Sequence, residues 1–420
     1  MLKTEFYETA VKHGFYGLEA GGLFGKKDNV RKYWEDVSIK LSVREVVRRL
    51  QARKERIRIV DLGCGSGEGF ELLTHIPVPQ EVRDLNRNFV ISAADIEAYV
   101  GLDISRSMLE QGRRNYASAP NVRFQQADLS EGFPLASEPP FDLYFSSYSS
   151  LSHLTASDLA SLTCQIMAHA RGTAYMVYDL LGRYSPEWPQ FWGRPCAEML
   201  PYNMAYLLPP EERMPERIET FHVARWSADE LEQLIRRAAD ETGRQAVIKD
   251  MRDRSILVGR HMDTGLFNGQ PRSIRRAVNC LFDRDYRGDC AHLGVVIDFL
   301  DSCGGDCPEA CDRIRAHQCD WMAVVGLYAA LAGSKGQAVK RLIESARPEL
   351  AEEMKMLAWV YRNASRFPVA DFWASVMGPQ VACVLRNLEF ALSRGLGCGH
   401  GLFCVVEVND VTGSAKGTPS

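Results

Sequence analysis

The segment Val60-Asp61-Leu62-Gly63-Cys64-Gly65-Ser66-Gly67 narrows the possible folds more than any other part of the chain. The apolar run Ile57–Leu62 reads as a buried strand, and glycines at positions 63, 65 and 67 follow it before a helix beginning near Glu68. A residue without a Cβ can turn this sharply and let the backbone approach a ligand, so the spacing predicts a strand-turn-helix unit of a parallel sheet. Further strands are predicted over 98–103, 122–126, 141–145 and 173–180, with helices over 104–115, 156–170 and 228–239. A closing hairpin over 246–259 completes seven strands. Strands that alternate with amphipathic helices imply a doubly wound α/β sheet.

Acidic residues sit at the ends of the first three strands. Asp61 closes the first, Asp103 ends the second, and Asp128 follows the third in Ala127-Asp128-Leu129. Ligands of open α/β sheets bind beyond the carboxyl ends of the strands, so the glycine turn and these acids mark one crevice, with Asp103 placed to accept from a ribose diol. Together with Gly101-Leu102-Asp103-Ile104-Ser105 and Phe141-Asp142-Leu143, the motifs resemble those of the class I S-adenosylmethionine (SAM) dependent methyltransferases over residues 46–262.

The resemblance implies a Rossmann-like seven-stranded sheet with SAM as cofactor. In that family the glycine turn passes under the methionine part of SAM, which assigns Gly63, Gly65 and Gly67 to it and places Asp61 near the amino group. Asp103 would bind the ribose hydroxyls, Ile104 would pack on adenine, and Asp128 with the backbone at Leu129 would read the adenine edge. Ser146 would face the sulfonium and the substrate. Residues 76–97 read as an insertion ahead of Asp103. A dinucleotide-binding dehydrogenase also needs a glycine turn and a ribose acid, but its pattern wants two residues between the second and third glycine. Here the glycines are evenly spaced.

Methyl transfer from a sulfonium is an in-line displacement that disperses charge, so a protein chiefly supplies alignment and a dry site. His153, just past the fourth strand, is the candidate base, and Tyr148 on the same loop is a candidate acceptor contact. Tyr184, Trp188, Phe191, Trp192, Tyr202, Tyr206 and Phe221 lie among prolines between the fifth strand and the helix at 228. With residues 1–45, read as a helical N-terminal lid, this stretch is expected either to close over a pocket for a small acceptor or to pack onto the C-terminal block. The expected reaction is methylation of a small molecule at oxygen or nitrogen. An RNA or protein acceptor, or a non-catalytic SAM-fold scaffold or regulatory module, is the alternative.

Charge disfavours nucleic acid: 50 Lys+Arg against 54 Asp+Glu give a net −4 and no global positive field. The basic run from Arg44 to Arg58 is broken by Glu45 and Glu55 and has no stacking aromatics. The apolar stretch 321–333 falls short of the roughly 20 residues that cross a bilayer, so no membrane partner is expected. Residues 1–7 carry acidic and aromatic groups where a secretory signal needs an apolar run, and the expected setting is cytoplasmic.

Residues 263–411 lose the strand-helix alternation and read as a mostly α-helical, Cys-rich C-terminal domain, followed by a flexible tail over 412–420. Apolar faces at 322–332, 350–361 and 381–391 mark its helices. Three roles are open to it: binding substrate, joining two chains into a homodimer, or a separate activity. Cys303, Cys307, Cys311, His317 and Cys319 could ligate a metal or simply be buried thiols, and no metal is assigned.

Overall fold

The computed structural model describes residues 34–79, 88–203, 218–259, 274–283, 289–301, 307–390 and 394–411, with the single positions 11, 214, 216, 262, 265, 267 and 268. Most of the expected N-terminal lid, the whole tail over 412–420, Tyr206 and Cys303 lie outside these residues.

Helix α1 (Asp36–Arg53) buries Ile39, Val43, Val46, Val47 and Leu50, spaced at three and four residues along one stripe. It crosses the expected boundary at 45 and covers one face of the sheet beside Phe70, Leu73, Tyr99 and Phe145. Each such buried aliphatic side chain contributes about 1.5–3 kcal/mol relative to exposure.

Seven strands follow in one sheet: β1 (Ile57–Leu62), β2 (Ile96–Asp103), β3 (Val122–Gln126), β4 (Leu143–Phe145), β5 (Thr173–Leu181), β8 (Arg244–Arg254) and β9 (Gly401–Asp410). A separate two-stranded ribbon pairs β6 (Leu200–Asn203) with β7 (Thr220–Val223). The sheet order is β3-β2-β1-β4-β5-β9-β8, parallel from β3 to β5. β9 is antiparallel to both β5 and β8. Chain order reverses between β1 and β4, which opens a crevice at the carboxyl ends of those two strands. Helices α2 (Glu68–Thr74), α3 (Arg106–Asn115), α4 (Ala156–His169) and α5 (Ala228–Thr242) are the crossovers.

The expected hairpin over 246–259 does not form. Arg244–Arg254 is one strand, and Ser255, at φ 61°, turns the chain out of the sheet. Ile256, Leu257 and Val258 are fully buried among helices rather than paired as a second arm. The seventh strand is β9, and α6 (Ile274–Cys280), α7 (Pro308–Ala332), α8 (Gly336–Ser345), α9 (Pro348–Arg362) and α10 (Gly378–Phe390) all lie between β8 and β9 in the chain. The helical segment is therefore an insertion between the last two strands, not an appendage after a finished sheet. Trp321, Leu327, Met354 and Leu385 from this insertion share one core with Trp34, Trp188, Trp192 and Ile256. Among the described residues no helix is long and apolar enough to cross a membrane.

Candidate active site

The glycine turn follows β1 and is held to the end of β2. Gly63 and Cys64 donate their N–H groups to the Leu102 carbonyl at 2.9 Å each. Asp103 braces the turn from the side: its Oδ2 accepts from Gly65 N and its Oδ1 from Ser105 N, both at 2.8 Å. Gly63 has φ 75°, and a Cβ there would lie 2.5 Å from the Ser150 Cβ. Ser150 in turn donates to the Gly63 carbonyl at 2.9 Å, so the loop after β4 packs directly on the turn. Gly67, at φ 91°, meets the Tyr116 and Phe124 rings instead, which makes it a packing position.

Asp61 lies beneath this turn. It is 1% exposed, accepts a hydrogen bond from the Tyr99 hydroxyl, and has no partner at Oδ1 among the described residues. Burial pushes its carboxyl up to about 7, against the pull of the Tyr99 hydrogen bond. Asp103, Ile104 and Asp128 are half-exposed at the ends of the neighbouring strands. Asp128 Oδ1 accepts from Ser130 N at 2.9 Å and from its hydroxyl at 2.6 Å. The Leu129 side chain goes into the core under the sheet. Of the expected insertion over 76–97, the described ends meet, with Val90 N donating to Ile76 O at 2.8 Å, Ile96 and Glu97 begin β2, and the Gly65–Asp103 bond is intact.

Ser146, directly after β4, is fully buried, and its hydroxyl has no hydrogen-bond partner among the described residues. Ser66 and Ser149, on the turn and on the β4 loop, are buried with their hydroxyls in the same condition. Buried polar atoms are normally paired, so three orphaned hydroxyls on these two loops fit a polar ligand in the crevice. The backbone beside them is strained: Tyr148 and Ser149 have φ of 54° and 62°. Such non-glycine conformations persist where the surroundings enforce them, often at functional sites.

Tyr148 is tied at both ends. Its N–H donates to Asp179 Oδ2 at 2.6 Å and its hydroxyl donates to Asp36. His153 stacks on Phe221 with centroids 5.1 Å apart and planes at 26°. Burial pulls its pKa down to about 4, so the imidazole is neutral at pH 7 and holds a proton weakly. Of the C-terminal cluster, His317 is buried in α7 with Nε2 3.8 Å from Glu389, Cys311 is disulfide-bonded, and Cys307 and Cys319 are thiols outside any disulfide. Among the described residues no group of three or more His, Cys, Asp or Glu gathers as a metal site.

Residues 59–172 match the family model described as a methyltransferase domain. This stretch holds the glycine turn, both half-exposed acids and the β4 loop. Residues 59–172 form a methyltransferase domain. Over 88 residues the chain is 38% identical to the trans-aconitate 2-methyltransferase of Methylobacterium nodulans, covering 21% of this chain and 25% of that protein. The chain thus spans about a quarter of the length of this curated relative. A SAM-dependent methyltransferase from Clostridium acetobutylicum superposes with TM-score 0.36 at 14% identity, over 59% of this chain and 90% of that one. One from Mesorhizobium loti gives 0.28 at 17%, over 47% and 77%.

Beyond the matched stretch lie buried polar residues that the sequence did not single out. Glu187 and His400 form a buried pair, Nδ1 to Oε2 2.6 Å, at the carboxyl end of β5. Arg225 stacks over Trp188 at 4.5 Å, next to this pair. His400 sits in a glycine-rich run, Gly395 to Gly401, the one local signal that could have drawn notice.

Proposed function

We propose that this chain is a SAM-dependent methyltransferase that methylates a small molecule at oxygen or nitrogen. The observation that carries the proposal is the glycine turn braced by Asp103 at the point where the sheet order reverses, within the matched methyltransferase domain. SAM, when bound, supplies a methyl group on a sulfonium. The turn from Gly63 to Gly67 gives close backbone approach. Asp103 keeps acceptor capacity beyond its two backbone partners for a ribose diol, and Asp128 Oδ2 is left for the adenine edge. Ile104 offers half-exposed apolar surface for the base. Ser146 brings an unpartnered hydroxyl to the β4 side, where the acceptor would meet the methyl group.

His153 is neutral at working pH, which suits an acceptor contact better than a strong base. A small acceptor accords with the relative named for trans-aconitate and with the Phe221 ring stacked on His153. Titration of S-adenosylhomocysteine by calorimetry tests the cofactor assignment. We expect saturable binding that Asp103→Asn weakens by about 10-fold or more, the loss of a charge-assisted bond pair. The Asn oxygen can accept from only one of Gly65 N and Ser105 N, so a modest drop in thermal midpoint should accompany the loss of affinity, with the variant still folded at the titration temperature. Well-folded wild-type protein that does not bind would overturn the proposal.

A further inference from the structure

Beyond the ends of β4 and β5 a row of rings runs from His153 through Phe221 and Tyr202 to Trp188, with successive centroids 5.1, 5.5 and 6.2 Å apart. Arg225 enters this row from the segment after β7. Two contacts fix that segment at the crevice: Ala224 N donates to Ser152 O at 2.8 Å, and Trp226 bridges to Gly182 at the end of β5. The Arg225 guanidinium lies 4.5 Å from the Trp188 ring centre and 5.2 Å from that of Phe191. The residue is 3% exposed.

Its hydrogen bonding is incomplete. Nη2 donates to Pro201 O at 2.8 Å, while Nε and Nη1 are buried with no acceptor among the described residues. Among the described residues, Glu187 and Tyr202 are the ionisable groups that act on it. Glu187 is already committed, its Oε2 taken by His400 at 2.6 Å and by the Ser185 hydroxyl at 3.2 Å. Arg254 shows what a finished buried arginine looks like here. It is 2% exposed, and Nε, Nη1 and Nη2 all meet Asp179 or Glu35 within 3.2 Å. An unsatisfied buried charged donor is costly, and a ligand that accepts from it removes that cost. The rings against the guanidinium hold its plane and leave donors for an in-plane partner, the geometry that a carboxylate meets.

We propose that Arg225 anchors a carboxylate of the methyl acceptor, which makes the substrate class small carboxylate-bearing molecules; this rests on the proposed methyltransferase function. The cofactor's own amino-acid end carries the same chemistry, and the test separates the two. Succinate, citrate and inorganic phosphate are titrated by calorimetry into wild type, Arg225→Gln and Arg225→Lys, each saturated with S-adenosylhomocysteine. A carboxylate should bind wild type, with affinity at least about 10-fold lower in Arg225→Gln and intermediate in Arg225→Lys, as expected for a lost charged partner. S-adenosylhomocysteine itself should bind all three alike. No carboxylate binding to wild type, or equal binding to Arg225→Gln, overturns the proposal. So does tighter binding of phosphate than of either carboxylate. Weakened S-adenosylhomocysteine binding in Arg225→Gln gives the carboxylate to the cofactor and also overturns it. If Arg225→Gln does not fold, Arg225→Lys decides, since it keeps the charge but not the planar donors. If S-adenosylhomocysteine fails to bind wild type, the proposed function falls, and titration without it still reads Arg225 on its own.

Discussion

Asp61 and Arg225 are both ionisable groups taken out of water, and they differ in what faces them. Asp61 meets a single hydroxyl, and its carboxyl rises from 3.8 to about 7 chiefly through burial. The folded state therefore binds this proton more tightly than the unfolded chain does. Its contribution favours folding at low pH and is lost as pH climbs from the ordinary value towards 7. Thermal unfolding followed across that range should show wild type losing stability with rising pH, and Asp61→Asn losing less. The Asn side chain still accepts from Tyr99 and has no charge to bury. Equal slopes for the two proteins would show that Asp61 does not titrate there. The motif made Asp61 visible in the sequence, but its depth beneath the turn depends on Tyr99 and Gly69, contributed by β2 and the start of α2. Arg225 carried no motif at all, because its meaning lies in acceptors that are missing in space.

At the scale of elements, Arg254 ties three pieces together. It ends β8, pairs with Asp179 on β5, and reaches Glu35 at the entry to α1. Ser255 donates to the same Glu35 oxygen at 2.8 Å, and Tyr148 N donates to the other oxygen of Asp179, so the β4 loop rests on this network. Arg254→Met would leave two buried carboxylates unpaired. Denaturant unfolding should show a loss of about 3–5 kcal/mol, the usual cost of breaking a buried ion pair on one side. A loss below 1 kcal/mol would mean that the carboxylates escape to water or take up protons at little cost. In the sequence, Arg252-Asp253-Arg254-Ser255 has the polar composition of an exposed turn, yet Asp253, Arg254 and Ser255 are buried. The partner strand lies far along the chain, and local pattern cannot supply it.

For the molecule as a whole, the helical insertion and the sheet share one apolar core. Glu389 on α10 accepts from Trp34 Nε1 at 2.7 Å and from the backbone of Ile256 and Leu257 at 3.0 and 3.2 Å. A hydrophobic interior continuous between two segments unfolds together, so scanning calorimetry should show one transition. Two resolved transitions would show that the insertion melts apart from the sheet. The amino-acid sequence alone determined the β1-to-β5 half of the sheet, the glycine turn and the acids at its strand ends. Those depend on residues near one another in the chain, whose spacing obeys strand and helix periods. The tertiary structure alone decided the seventh strand, the depth of Asp61, the tethering of Tyr148 and the open donors of Arg225. Each of these is set by which distant groups meet in a dry interior, and hydrogen-bond satisfaction there is a property of space rather than of sequence order.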